Sequence, residues 1–148
     1  MRISVVGLGK LGTPWLAVLA SRGIDVVGVD RIPGHVAAIL DRRTPISEPR
    51  LQALLSEATG RIEATSDIKA AVSASDVTFV VVPTPSGADG TFSNLHVISA
   101  IREIGAALAI SFAMKATYYE GSQFCSLATS YPRPWSIWEK SMVRAILL

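Results

Sequence analysis

The stretch Gly7-Leu8-Gly9-Lys10-Leu11-Gly12 decides the fold of this chain. An apolar run, residues 3–6, leads into it, and a second apolar run, residues 26–29, ends at Asp30. Three glycines at this spacing between a strand and a helix are typical of a turn that binds a dinucleotide. The pattern therefore predicts a strand, a tight turn, a helix and a second strand in succession.

Each glycine of the turn has a different task. Gly7 adopts backbone angles that a side chain would forbid, so the strand can reverse sharply into the helix. Gly9 lets the main chain approach a bound pyrophosphate, and Gly12 lets the helix pack tightly on the strand. The free N–H groups of the first helical turn and the positive end of its dipole then hold the pyrophosphate without a basic side chain.

The residue that ends the second strand predicts which cofactor binds. The carboxylate of Asp30 can accept both hydrogens of an adenosine ribose diol, and it would repel the 2′-phosphate of NADP. Arg31, which follows it, is the residue type that NADP enzymes use, but we expect this side chain to be solvated or stacked on adenine. The sequence therefore favours NAD over NADP.

Two other interpretations of the first thirty residues fit the sequence less well. A glycine-rich turn that serves only helix packing leaves the acid at the end of the second strand unexplained. Alternatively, the segment resembles a secretory signal peptide, since it has a basic residue at Arg2, an apolar stretch and small residues at 17–20 that could form a cleavage site. That apolar stretch is interrupted by three glycines, Lys10 and Pro14, which disfavours a signal peptide.

Composition limits the other classes of function. The chain has 148 residues, of which 49% are hydrophobic, so it can bury one hydrophobic core. Its formal charge of +2 is too small to suggest nucleic acid or an anionic membrane as a partner. The only cysteine is Cys125 and the only histidines are His35 and His96, so neither an internal disulfide nor a metal site is predicted. A single cysteine fits a reducing compartment, and we expect a cytoplasmic protein.

Apolar patterning over the rest of the chain alternates between strand and helix. Helices are predicted over residues 14–21, 33–42 and 51–58, from Ser66 or Asp67 through Ala74, and from Asn94 through Leu108; strands are predicted over residues 61–64 and 77–82. The 77–82 run is β-branched without polar alternation, which is typical of a central parallel strand buried on both faces. This order predicts a doubly wound parallel sheet in a single three-layer α/β domain, with ligands at the carboxyl ends of the strands.

Several segments together resemble the nucleotide-sugar dehydrogenases, which oxidise UDP-glucose, GDP-mannose or UDP-N-acetylmannosamine at C6 with NAD. The segments are the glycine turn with its helical proline at residues 7–14, Asp30, Pro45-Ile46-Ser47-Glu48-Pro49-Arg50-Leu51, Ala64-Thr65-Ser66-Asp67, and Val81-Val82-Pro83-Thr84-Pro85. The Val-Pro-Thr-Pro turn is the most selective of them. The resemblance covers residues 1–108 and implies a Rossmann-like NAD-binding domain of an oxidoreductase of polysaccharide biosynthesis.

The resemblance also implies roles for individual residues. The backbone of Leu11 would lie against the pyrophosphate, Asp30 would bind the ribose, and Thr84 would line the cofactor cleft. The family often has a lysine where this chain has His35; we expect weaker cofactor binding rather than none, unless His35 is simply an exposed helix residue. The full predicted cofactor site is Gly7, Gly9, Lys10, Leu11, Gly12, Asp30, Arg31, His35, Pro83 and Thr84.

After residue 108 the resemblance ends. The family's catalytic cysteine lies in a Gly-Gly-x-Cys-x-Pro-Lys-Asp motif, whereas Cys125 lacks those neighbours, so no catalytic residue is predicted. We divide the chain into an NAD-binding domain, residues 1–109, and a divergent tail, residues 110–148, which reflects a truncated or frameshifted gene or an expression fragment. In the tail, residues 110–114 alternate like a fifth strand or continue the preceding helix, and residues 137–148 have the spacing of a short helix.

Three hypotheses follow for the function. The preferred one is the NAD-binding part of a nucleotide-sugar dehydrogenase that is inactive alone, with the sugar bound only in the full-length family. The second is a non-catalytic NAD-binding or interaction module whose aromatic tail contacts a partner chain or a second copy. The third, another dehydrogenase with a glycine turn such as a 3-hydroxyacid type, is disfavoured by the Pro83-Thr84-Pro85 turn.

Overall fold

A computed structural model describes residues 1–58, 60–88, 90–119 and 144–147. Within them the sheet has five parallel strands in the order β3-β2-β1-β4-β5. The elements are β1 (Arg2–Val6), α1 (Gly12–Ser21), β2 (Asp25–Val29), α2 (Pro33–Leu40), α3 (Leu51–Glu57), β3 (Ile62–Thr65), α4 (Ile68–Ser73), β4 (Val77–Val80), α5 (Leu95–Tyr119) and β5 (Arg144–Leu147). The predicted doubly wound α/β fold is confirmed.

Apolar side chains cover the sheet on both faces. Strand residues that alternate along β1 point to opposite faces, so Val5 packs with Leu16 and Leu55 on the α1 and α3 side. Val6 packs on the other face, in the cluster that contains Val72 of α4 and other residues of α4 and α5. The result is three layers, as expected for parallel strands joined through helices.

A buried polar pair links the two central strands. Ser4 of β1 and Thr78 of β4 are register partners, both have 0% exposure, and their hydroxyl oxygens lie 2.6 Å apart in a hydrogen bond. Each hydroxyl thus satisfies the other where water cannot reach. The pair fixes the register of β1 against β4, because a shift by one residue would leave both groups unpaired.

The strand predicted over residues 77–82 is shorter and less buried than expected. It ends at Val80, although the Val81 N–H still donates to the Val6 carbonyl oxygen at 2.8 Å. Val77 and Phe79 are only half-buried. The ring of Phe79 lies 5.3 Å from that of Trp15, which is itself 39% exposed, so this side of the strand reaches towards the surface.

The tail agrees with one of the two expectations for residues 110–114 and differs from the expectation for residues 144–147. Residues 110–114 continue α5, as the helical alternative predicts, and do not form a strand; residues 106–119 contain neither glycine nor proline, which lets the helix continue past residue 109. Residues 144–147 form β5 against β4, where a helix was expected. The open edge of β4 offers backbone partners that helical spacing cannot reveal. Residues 137–143 and 148 lie outside the described residues.

Arg50 sits in a backbone conformation that disfavours side chains. It precedes α3 with φ 63° and is exposed. The left-handed region costs an L-residue about 1–2 kcal/mol. Substitution Arg50→Gly is therefore expected to raise the free energy of unfolding by about 0.5–1 kcal/mol, after the larger entropy of glycine in the unfolded chain is subtracted. Urea unfolding followed by circular dichroism measures this.

Arg22→Gly is the matched control for that substitution. Arg22 is exposed and follows α1 with an ordinary φ of −87°. Glycine there relieves no strain and should lower the free energy of unfolding by about 0.5–1 kcal/mol. Equal changes in the two variants would show that strain at Arg50 does not affect stability.

Candidate functional site: a nucleotide-binding edge of the sheet

The glycine turn connects β1 to α1 and leaves no space for side chains at its first and last positions. Gly7 has φ +103°, and a Cβ there would lie 2.2 Å from the carbonyl oxygen of Val81. A Cβ at Gly12 would lie 1.7 Å from the carbonyl oxygen of Gly7. At Gly9, by contrast, a Cβ would meet nothing within 4 Å. The turn is thus closed towards the protein and open at Gly9.

The start of α1 presents unpaired backbone donors. Its first hydrogen bond runs from the Thr13 N–H to the Gly9 carbonyl oxygen at 3.1 Å. The N–H groups of Lys10, Leu11 and Gly12 have no partner among the residues that the structure describes. Such donors at the positive end of a helix bind phosphate oxygens. The chain therefore has a cradle that fits a pyrophosphate.

Two residues that the sequence analysis did not assign to the site hold the turn in place. The buried Thr13 hydroxyl donates to the Leu8 carbonyl oxygen at 2.7 Å. Gly28 of β2 lies under the side chains of Leu8 and Leu16, because a Cβ there would be 2.7 and 2.6 Å from their methyl carbons. A glycine inside an apolar strand is the signal of such a close approach.

Asp30 lies directly after β2 and is tied to the glycine turn. Its Oδ2 accepts the Leu8 N–H at 2.7 Å, and its Oδ1 accepts the Ile32 N–H at 2.8 Å. Partial burial raises the pKa of Asp30, but the hydrogen bonds from Ile32, Leu8 and His35 outweigh it, so the pKa is lowered from its ordinary value of 3.8. The carboxylate is ionised at neutral pH and keeps acceptor capacity for a ligand.

His35 of α2 contacts the same carboxylate. Its Nδ1 lies 3.2 Å from Asp30 Oδ2, and its side chain is 25% exposed. An ionised carboxylate only accepts hydrogen bonds, so Nδ1 carries the proton that is donated, and in the neutral ring Nε2 is the free acceptor. His35 is therefore part of the Asp30 environment and is not an isolated surface residue.

Arg31 is largely exposed to solvent, which is one of the two sequence interpretations, and it also contacts α5. Its Nη2 donates to Ser99 Oγ at 2.6 Å and to Glu103 Oε1 at 2.5 Å, both on α5. The side chain remains 65% exposed. The guanidinium thus joins the loop after β2 to α5 on the other side of the sheet edge.

The remaining predicted site residues lie at the same edge of the sheet. Lys10, Pro83 and Thr84 are exposed. The segment that contains Pro83 and Thr84 leaves β4 beside the glycine turn, because Val81 contacts both β1 and the position of a Gly7 side chain. The structure therefore brings the ends of β1, β2 and β4 together, as expected for a ligand site in a parallel sheet.

Two other kinds of site are absent from the described part of the chain. It contains no group of three His, Cys, Asp or Glu side chains that could hold a metal ion. No helix in it has both the length and the apolar character needed to cross a membrane. Cys125, which was predicted not to be a nucleophile, lies outside the described residues.

Relatives of this chain share its N-terminal three quarters. A GDP-mannose 6-dehydrogenase from Pseudomonas aeruginosa is 42% identical over 110 residues, which are 73% of this chain and 25% of the relative. A UDP-glucose 6-dehydrogenase from Rhizobium meliloti is 41% identical over 111 residues, again 73% of this chain and 25% of the relative. The chain thus spans about a quarter of the length of these curated relatives.

Solved structures agree with the sequence matches. The 1.55 Å crystal structure of a ternary complex of GDP-mannose dehydrogenase from Pseudomonas aeruginosa superposes with a TM-score of 0.71 at 42% identity, covering 73% of this chain and 25% of that one. A UDP-glucose dehydrogenase from the archaeon Pyrobaculum islandicum gives a TM-score of 0.71 at 34% identity, covering 74% and 26%.

The family assignment rests on most of the described sequence. Residues 1–116 match the model of the UDP-glucose/GDP-mannose dehydrogenase family, NAD binding domain. This match includes the glycine turn, Asp30 and the Pro83-Thr84-Pro85 turn, so the resemblance drawn from those motifs is confirmed. The chain belongs to the UDP-glucose/GDP-mannose dehydrogenase family and carries the NAD binding domain of that family.

Proposed function

We propose that this chain is the cofactor-binding part of a nucleotide-sugar 6-dehydrogenase, which oxidises the C6 alcohol of a nucleoside-diphosphate sugar to a carboxylate. One observation carries the proposal. The ionised Asp30 carboxylate is hydrogen-bonded to the Leu8 N–H inside the glycine turn, which couples a ribose acceptor to a pyrophosphate cradle. The change from alcohol to carboxylate releases two hydrides and consumes one water, so two NAD molecules in succession would each supply a nicotinamide ring that takes up one hydride.

Different residues of the site bind different parts of the cofactor. The N–H groups of Lys10, Leu11 and Gly12 bind the pyrophosphate, with Gly9 leaving room for its approach. Asp30 binds the adenosine ribose. His35 orients the Asp30 carboxylate through Nδ1 and offers Nε2 to a hydroxyl hydrogen.

Other residues complete the proposed site and its boundaries. Pro83 and Thr84, exposed after β4, line the cleft in which the cofactor lies. The proposed NAD-binding domain comprises residues 1–109, and residues 110–148 form the tail. The single cysteine also supports a cytoplasmic location, and the relatives' reactions with UDP-glucose and GDP-mannose support a role in polysaccharide biosynthesis.

The first test is a calorimetric titration of the purified chain with NAD and, in parallel, with NADP. We expect saturable NAD binding and much weaker NADP binding, because the Asp30 carboxylate repels a 2′-phosphate. Equal affinities would contradict the role of Asp30, and no binding of either cofactor would overturn the proposed function.

A second measurement tests whether the chain acts alone. We expect no NADH to form when the chain is mixed with NAD and UDP-glucose or GDP-mannose. Cys125 lacks the flanking residues of the family's thiolate motif, and the chain spans a quarter of its relatives. NADH formation with either sugar would overturn the expectation that this chain is inactive alone.

The alternative, a non-catalytic module with a partner chain or a second copy, is favoured by one surface. Leu95, Ile98 and Ile101 are spaced along one side of α5 and are 73%, 44% and 44% exposed, with Phe92 70% exposed just before the helix. Clustered exposed apolar side chains mark contact surfaces. A monomer in sedimentation analysis, with NAD binding intact, would argue against this alternative.

A further inference from the structure

Arg31 directly follows Asp30 in the chain, but its side chain is hydrogen-bonded to α5, which is distant in sequence. Its Nη2 donates to Ser99 Oγ and to Glu103 Oε1, 68 and 72 residues away in sequence. Ser99 and Glu103 lie one turn apart on α5, and the Ser99 hydroxyl also donates to Glu103 Oε1 at 3.4 Å. These contacts form a small network that begins at the residue next to Asp30 in the chain.

The network alters what Arg31 can offer to a ligand. Each guanidinium Nη has two hydrogens, and both of those on Nη2 are used by α5. Glu103 also places a full negative charge against the guanidinium, which cancels much of its field. A free arginine next to the ribose acid would attract a phosphate, since guanidinium groups bind phosphate in a bidentate manner.

We propose that Glu103 is a positioning residue for cofactor choice, which, with Ser99, keeps the charge of Arg31 away from the 2′-phosphate of NADP. The inference rests on the proposed binding of the adenosine ribose by Asp30. NAD and NADP differ only by that phosphate, so a change in the charge available near Asp30 alters their affinity ratio. In the intact network the Asp30 carboxylate acts against the phosphate without opposition from Arg31.

The test compares NADP and NAD affinities by calorimetry in four variants of the full chain. In Glu103→Ala, the ratio of NADP affinity to NAD affinity should rise about three- to fivefold, the size expected for an exposed ion pair. Glu103→Gln, which keeps an acceptor oxygen and loses the charge, should give most of that rise. Glu103→Ala combined with Arg31→Ala should give none.

Glu63→Ala is the matched control. Glu63 also pairs with an arginine, Arg2, at 2.5 Å, and it is 65% exposed. Its removal changes the net charge equally but leaves Arg31 in place, so the affinity ratio should stay unchanged. A general loss of stability would move both affinities together and would leave the ratio constant.

The outcomes separate this inference from the proposed function. Three results would overturn the inference while leaving NAD binding intact. The first is an NADP-to-NAD affinity ratio that does not change in Glu103→Ala, and the second is NADP binding that stays undetectable in that variant. The third is an equal rise of the ratio when Arg31→Ala is added. Absence of NAD binding by the wild-type chain would overturn the proposed function and the inference together.

Discussion

Substitution Gly12→Ala is expected to unfold the chain or to lower its free energy of unfolding by about 3 kcal/mol or more. The new Cβ would lie 1.7 Å from the carbonyl oxygen of Gly7, far inside any contact distance. Both atoms belong to backbone that is fixed between β1 and α1, so neither can move aside. Thermal unfolding followed by circular dichroism measures the loss, and NAD titration should give no binding.

Gly9→Ala is the control that separates folding from binding. A Cβ at Gly9 meets nothing within 4 Å, and the free energy of unfolding should change by less than about 0.5 kcal/mol. In turns of this kind the second glycine is where the backbone approaches the pyrophosphate, so the Kd for NAD should rise at least about tenfold. A folded Gly12→Ala variant of wild-type stability, or Gly9→Ala with unchanged NAD affinity, would refute this account of the turn.

Substitution Asp30→Asn is expected to abolish measurable NAD binding and to cost about 1–3 kcal/mol of stability. The amide replaces one acceptor oxygen by an NH₂ group, which then faces either the Leu8 N–H or the Ile32 N–H, donor against donor. Asp25→Asn is the matched control: Asp25 is exposed and, among the described residues, pairs only with Arg61, at 3.1 Å. That variant should bind NAD like the wild type.

The difference in free energy of unfolding between the wild type and Asp30→Asn depends on pH, because the pKa of Asp30 is lowered in the folded state. A carboxyl group with a lower pKa in the folded state than in the unfolded state contributes stability that is present above its ordinary value, here 3.8. The contribution is lost as the pH falls through the lowered folded pKa. The free energies of unfolding of the wild type and Asp30→Asn should thus differ by a constant amount from about pH 5 to 8 and converge in acid. A difference that widens in acid would contradict the assignment.

Local patterns were sufficient to predict most of the fold and the geometry of the glycine turn. The Gly7 and Gly12 positions, the acid at the end of β2 and the alternation of elements each depend on neighbours within a few residues. Their geometry is dictated by backbone sterics and helix dipoles, which a sequence expresses directly. The carboxyl edge of a parallel sheet then brings these separate signals together.

Contacts between distant residues could not be predicted from the same patterns. The Arg31–Glu103 pair and the Ser4–Thr78 hydrogen bond join residues 72 and 74 positions apart, and nothing near either residue indicates its partner. β5 was missed for a similar reason, since its pairing is set by the free edge of β4 and overrides helical spacing. His35 was singled out because the family often has a lysine at its position, whereas its contact with Asp30 Oδ2 depends on where α2 lies.

β1 lies between β2 and β4 in the sheet, although it is the first strand to leave the ribosome. β2 follows soon after it, whereas β4 begins only at Val77. Until then a nascent chain has an apolar strand with one bare edge, and the Ser4 hydroxyl lacks the Thr78 partner that it has in the finished sheet. Bare strand edges pair with other chains, and chaperones bind them during synthesis. The second edge of β1 is therefore covered only when Val80 has cleared the exit tunnel, and the outer edge of β4 only when β5 has followed it.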